Sequence, residues 1–160
     1  MEQPLYPEIV VAGCGNPLYA DDGFGPAVVE NLQGLELPEN VKVVDAGLGG
    51  PHFVFTLLNP ESTKRLIIVD IADFGGKPGE LRWLAVDELP VGSYRDAHSW
   101  DLTEPLQRIK DEIKIRVLAC QKKHVSAPEM EIGITEEVER AIPGAVSEIL
   151  KEIGMNYGTA

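Results

Sequence analysis

Gly13-Cys14-Gly15-Asn16-Pro17-Leu18-Tyr19-Ala20-Asp21-Asp22-Gly23-Phe24-Gly25 is the stretch that decides the fold. It follows a short apolar run, Ile9-Val10-Val11-Ala12. It precedes a segment in which Phe24, Ala27, Val28 and Leu32 share one helical face. An apolar run without polar alternation reads as a buried strand. Strand, glycine-rich turn and helix open an α/β unit, and a turn of that kind commonly cradles a phosphate. Here Asp21 and Asp22 stand where the phosphate would lie. Two carboxylates repel an anion and attract a metal or a cationic group instead.

Outward from this turn the same alternation continues. Apolar runs at 41–44 and 66–69 end at Asp45 and Asp70, and a further strand is expected at 113–120. A run at 81–86 is bracketed by Gly79 and Pro90 and can lie antiparallel at a sheet edge. Helical patterns fall at about 52–58, at Leu102, Leu106 and Ile109, and from near Thr135 onward. The last of these buries Val138, Ala141, Ile142, Ala145, Ile149 and Ile153 and stops at Gly154. Pro143 predicts a kink or break within it. Strands alternating with helices predict a three-layer α/β/α sandwich with a mostly parallel, twisted sheet, built as one domain over residues 1–160. Sites in such sheets collect at the carboxyl ends of the strands. That places the 13–22 turn, Asp45, the 47–51 glycine loop and Asp70 along one edge.

A formal net charge of −12 disfavours nucleic acid and anionic membrane surfaces, which need clustered Lys and Arg. No apolar run approaches the ~20 residues of a membrane span. The N-terminal residues carry no basic and apolar secretory pattern, so a cytoplasmic location is expected. The two cysteines, Cys14 and Cys120, each lie beside a buried strand and read as reduced core residues.

Among chemistry-bearing residues, an acid at a helix start is favourable by ~0.3–1 kcal/mol without any function. One acid suffices for that, so of Asp21 and Asp22 one can cap while the other faces the cleft. Asp70 reads either as a turn former beside Asp73 or as a site residue at the sheet edge. His98 lies in an aperiodic stretch, 87–100, of the kind that often carries function. His52 falls at a helix start, and His124 sits beside Lys122 and Lys123, which oppose a bound cation. Asp22, Asp70 and His98 together offer two carboxylates and an imidazole, a set suited to a divalent first-row metal with positions left open. No His-Glu-x-x-His pair, zinc-finger spacing, calcium loop or serine-nucleophile elbow is present. Cys14 is a poor nucleophile, because the neighbouring acids raise its pKa.

The turn from Gly13 to Gly25 resembles the N-terminal signature of the [NiFe]-hydrogenase maturation endopeptidases. The similarity continues through Asp45-Ala46-Gly47-Leu48-Gly49-Gly50, the strand ending at Asp70, His98 and Gly133-Ile134-Thr135, and so covers almost the entire chain. The resemblance implies an α/β/α fold and a partner, the hydrogenase large-subunit precursor. From that precursor a short C-terminal tail is removed once nickel has been inserted. It also implies that two carboxylates and a histidine form the metal-sensing and catalytic site, which here fall on Asp22, Asp70 and His98. The nickel then comes with the substrate and is not a resident cofactor. The second acid of the pair is commonly Glu in the family, whereas this chain has the shorter Asp22. The Asp-Asp form and the Gly-Cys-Gly-Asn loop look most like the archaeal branch that serves deazaflavin-reducing hydrogenases. Two hydrolytic routes stay open: activation of the carbonyl or water by the metal, or Asp70 as general base. Competing readings are a non-catalytic nickel-checking adaptor and a Rossmann-type nucleotide-binding module. The latter lacks its third glycine, since position 18 is Leu.

Overall fold

The computed structural model describes residues 7–47, 62–85 and 112–154. The expected helices at 52–58 and 102–109 and the stretch 87–100, with His98, lie outside the described residues, as does His52.

The elements run β1 (Ile9–Cys14), a 3-10 turn (Ala20–Gly23), α1 (Phe24–Gln33), β2 (Val41–Gly47), β3 (Arg65–Ala72), β4 (Leu81–Leu84), β5 (Lys114–Gln121) and α2 (Glu136–Glu152). The strands form one sheet in the order β2-β1-β3-β5-β4. Its first four strands are parallel, and β4 pairs antiparallel with β5 at the edge. The mostly parallel α/β architecture and the antiparallel edge strand are therefore as the sequence predicts. β1 sits between β2 and β3, so the chain leaves it to one side and returns to the other. Such a reversal opens a crevice at the carboxyl ends of the two strands that flank it.

Both faces of the sheet are buried, which is why the strands read as continuous apolar runs. On one face Phe24, Val28 and Leu32 of α1 and Val138, Ala145 and Ile149 of α2 pack on Val11, Ile67 and Val69. On the other, Val10, Ala12 and Cys14 of β1 join Leu66, Ile68 and Ala72 of β3 and Val117 of β5. Gly25 lets α1 sit close to the sheet. A Cβ there would stand 2.2 Å from the Cys14 carbonyl oxygen and 2.6 Å from that of Val69.

Three local expectations are corrected. β3 does not end at Asp70. It continues to Ala72, because β5 pairs with it as far as Ala72↔Gln121, although β1 stops pairing at Gly13↔Val69. Neither Asp21 nor Asp22 caps α1: both lie within the 3-10 turn, and the helix N-cap is Gly23, with no side-chain cap bond. Pro143 does not break α2, which is continuous over 17 residues. Pro143 and Glu139 are both exposed, so water can satisfy the carbonyl that loses its helical donor. Gly154, at φ +90°, ends the helix as expected.

Candidate active site

The two acids of the turn are both fully buried, yet they do different work. Asp21 is tied to distant chain. Its Oδ2 accepts the backbone N–H groups of Lys123 at 2.9 Å and His124 at 2.8 Å. Its Oδ1 accepts the N–H of Thr135 at 2.7 Å and the Thr135 hydroxyl at 2.8 Å. In return the Asp21 N–H donates to the His124 carbonyl at 3.0 Å. Every side-chain partner is a donor, so the site demands a carboxylate, and charge-assisted bonds of this kind are the strong ones. Thr135 is the N-cap of α2, yet its hydroxyl serves Asp21 and not the helix. Asp21 thus fastens the site turn to the start of α2 and to the segment after β5.

Asp22 belongs to the turn itself. Its Oδ2 accepts the Asn16 N–H at 2.8 Å, closing the loop over six residues. Gly15, at φ +135°, makes that closure possible. A Cβ there would meet the Asp22 carbonyl oxygen at 2.0 Å. Gly15 therefore serves close backbone approach to Asp22.

Asp70 is fully buried one residue beyond the last pairing of β3 with β1. Strand alternation puts it on the face of Cys14, Ile68 and Ala72. Its Oδ1 accepts the Ile71 N–H at 2.7 Å. Asp73, by contrast, is the turn former: it accepts from the Gly75 N–H and from the Gln121 amide. The 3-10 turn bearing Asp22 packs against β3, which brings the two acids to the same strand ends.

Cys14 reports that convergence. Its thiol is held well above the ordinary value, first by burial and then by the negative charges of Asp70, Asp45 and Asp22. Three carboxylates thus surround the end of β1. A thiol kept protonated in this way is no nucleophile. Asp45 lies on β2 opposite Gly13. Burial raises its pKa, while the Gly47 N–H bond pulls the other way. Cys120 is likewise pushed up, to about 12, by burial and by Asp21. Both cysteines are free and buried.

The structure therefore brings Asp22 and Asp70 to one crevice, with Asp45 at its margin. His98 lies outside the described residues. His124 is exposed and paired with Glu131 at 2.8 Å, away from a ligand role. Among the described residues no group of three or more His, Cys, Asp or Glu side chains is placed to hold a metal ion. Sequence reasoning missed the anchoring of Asp21 by Thr135 and by the backbone of Lys123 and His124. The partners are more than a hundred residues away in the chain, and three of the four donors are main-chain N–H groups that no residue type announces. Among the described residues no helix is long and apolar enough to cross a membrane.

Comparison with known proteins fits this geometry. The family described as hydrogenase maturation protease matches residues 26–152. The coenzyme F420 hydrogenase subunit delta of Methanothermobacter thermautotrophicus is 46% identical over 157 residues, covering 96% of this chain and 99% of that protein. The hydrogenase maturating endopeptidase HybD from Escherichia coli superposes with a TM-score of 0.75 at 26% identity, over 92% of this chain and 94% of that one. The hydrogenase 2 maturation peptidase of a Thaumarchaeota archaeon does so with a TM-score of 0.66 at 27% identity, over 93% and 99%. With a family match across most of its length and that degree of identity to an archaeal relative, the chain belongs to the hydrogenase maturation proteases, a family of endopeptidases.

Proposed function

We propose that this endopeptidase removes the C-terminal tail of a nickel-loaded [NiFe]-hydrogenase large-subunit precursor, and that Asp22, Asp70 and His98 are its working residues. The observation that carries the site assignment is the pair of buried carboxylates, Asp22 and Asp70, at the reversal point of the sheet, both acting on Cys14. The similarity to the methanogen subunit supports the large subunit of a coenzyme F420-reducing hydrogenase as substrate, and we place the reaction in the cytoplasm.

The nickel is part of the substrate. Asp22 and Asp70 supply carboxylate oxygens and His98 an imidazole nitrogen toward it, which fixes the tail relative to the sheet edge. Peptide hydrolysis then needs water made nucleophilic and a proton delivered to the leaving amine. Either the substrate's metal activates the carbonyl or the water, or Asp70, acting as general base in place of a ligand, takes the proton of the attacking water and returns it to the amine as the C–N bond breaks. The depth of the two acids suits a hold on the metal, since a carboxylate shielded from bulk water interacts more strongly with a cation brought to it.

The test is intact-mass measurement of precursor incubated with the protein, with and without nickel. Loss of a C-terminal peptide only from the nickel-loaded precursor is the expected result. Asp22→Asn, Asp70→Asn and His98→Ala should each abolish it while retaining the wild-type circular dichroism spectrum. A precursor that binds but never shortens would make the protein an adaptor. Normal processing by all three variants would refute the site.

A further inference from the structure

Three large hydrophobic side chains are exposed among the described residues: Leu18 at 38%, Met130 at 70% and Ile132 at 83%. They are not scattered. Leu18 belongs to the site turn, and Met130 and Ile132 flank Glu131, which bridges to it. The Glu131 N–H donates to the Leu18 carbonyl at 2.7 Å, and the Ala20 N–H donates to the Glu131 carbonyl at 2.7 Å. Tyr19 and Glu131 form a parallel bridge. These bonds hold the two backbones together and so fix the place of the apolar side chains they carry into water. Isolated exposed hydrophobics are ordinary, but a group held together beside a site marks an interaction surface.

Ile132 also lines a groove of about 440 Å³ that runs along α1. Pro17, Pro26 and Ile134 continue its apolar wall. The charged residues lining it, Glu30 and Asp45, are both acidic. Gly23 of the site turn lines it too, so the groove abuts the loop that carries Asp22. Pro26 and Glu30 come from α1, whose face of the sheet is opposite to that of Cys14 and Asp70. The groove is thus beside the proposed cleavage centre and not within it.

We propose that this groove is an exosite that docks a segment of the hydrogenase precursor carrying a large apolar side chain next to Lys or Arg. The apolar residue packs on Ile132 and Pro26, and the cation meets Glu30 and Asp45. An acidic, apolar groove rejects an acidic segment and selects a basic one. The body of the precursor then rests on the α1 side, while its tail crosses the strand ends to Asp22 and Asp70. This proposal rests on the proteolytic reading above for the identity of the partner.

Ile132→Asp and Glu30→Lys alter exposed side chains, and Glu39→Lys makes the same charge change in the α1–β2 connection, away from the groove. Binding of purified nickel-loaded precursor is measured by calorimetry for the wild type and each variant, and tail removal by intact mass. Ile132→Asp and Glu30→Lys should each raise the dissociation constant about tenfold or more, with the loss of processing appearing as a raised KM. Glu39→Lys should match the wild type, and all should melt at the wild-type temperature. Cleavage by the wild type with unchanged binding of the two groove variants would overturn the exosite and leave the protease reading intact. Binding without cleavage would defeat the protease reading, and the groove would still be judged by its variants. No binding by the wild type would remove both. A wild-type dimer in sedimentation that Ile132→Asp dissolves would assign the patch to a second copy and overturn the proposal.

Discussion

Replacing Asp21 by Asn tests whether that acid anchors the turn. The side chain keeps its shape but exchanges one carboxylate oxygen for an NH2 group. Each oxygen of Asp21 faces donors: Lys123 and His124 N–H on Oδ2, and Thr135 N–H and hydroxyl on Oδ1. Either orientation of the amide therefore points a donor at donors. The cost has two parts. Bonds to a charged acceptor are worth about 1.5–3 kcal/mol, and each buried N–H left unmade costs about 1–3 kcal/mol. With Oδ1 kept as the oxygen, the N–H groups of Lys123 and His124 lose their acceptor. With Oδ2 kept, the Thr135 N–H loses its own, while the hydroxyl keeps its 3.0 Å bond to Oδ2. The cheaper arrangement gives a loss of about 3–5 kcal/mol in total. For a chain of this size that lowers the melting temperature by about 8–15 °C. Differential scanning calorimetry of Asp21→Asn beside Asp22→Asn is the assay. Asp21→Asn should melt far below the wild type, and Thr135→Val, which keeps its N–H, should lie between. A melting temperature for Asp21→Asn within about 2 °C of the wild type would refute the assignment of Asp21 as the tie between turn and helix.

Gly25→Ala should destabilise by about 3 kcal/mol or leave little folded protein, because the added methyl meets two backbone carbonyls and neither α1 nor the strand can yield locally; urea denaturation measures it. Neither cysteine should react with a disulfide reagent at pH 8 in the native protein, while both should react in urea. Burial and Asp21 push Cys120 up to about 12, so only about one molecule in ten thousand carries its thiolate at that pH. Glu152 pairs with Arg116 at 2.6 Å and with Arg65 at 2.9 Å. Burial opposes its ionisation, yet the arginines hold its pKa below the usual range. A depressed folded pKa stabilises above the unfolded value of about 4.3 and loses that contribution as pH falls through the folded value. Glu152→Gln should therefore cost about 1 kcal/mol at pH 7, and the gap to the wild type should close on acidification below about 4; urea midpoints across that range decide it.

What could be read from sequence follows from where each signal resides. Buried parallel strands announce themselves as runs such as Leu66-Ile67-Ile68-Val69, since both faces demand apolar side chains. The site strand ends follow from topology, because the loop after β1 and the end of β3 must meet where the strand order reverses. Strand length was less legible. Asp70 looks like a terminus when only the apolar run is counted. β3 nonetheless continues past it, since one neighbour, β5, still supplies hydrogen bonds after the other has stopped. Of the paired acids, the anchoring role of Asp21 was not legible. Asp21 and Asp22 are the same residue type in adjacent positions, and what divides them is which main-chain donors arrive from residues 123–135.

Under the proposed function, that division accounts for the two acids of the turn. A cation site needs a carboxylate that can be spared for the ligand, yet a turn this tight must also be fixed against the rest of the fold. A single acid cannot do both, because a carboxylate whose two oxygens are taken up by four donors has no oxygen to spare for a metal. Asp21 takes the saturated position and binds the turn to α2 through Thr135. Asp22 is held through the Asn16 N–H at Oδ2 and through the backbone contact that Gly15 permits. Gly15 thus sets how closely the chain approaches Asp22. On this argument Gly15→Ala should impair tail removal as severely as loss of Asp22, since the 2.0 Å approach to the Asp22 carbonyl oxygen leaves no room for a methyl. Full activity in a folded Gly15→Ala protein would show that the turn's geometry does not set the acid's position.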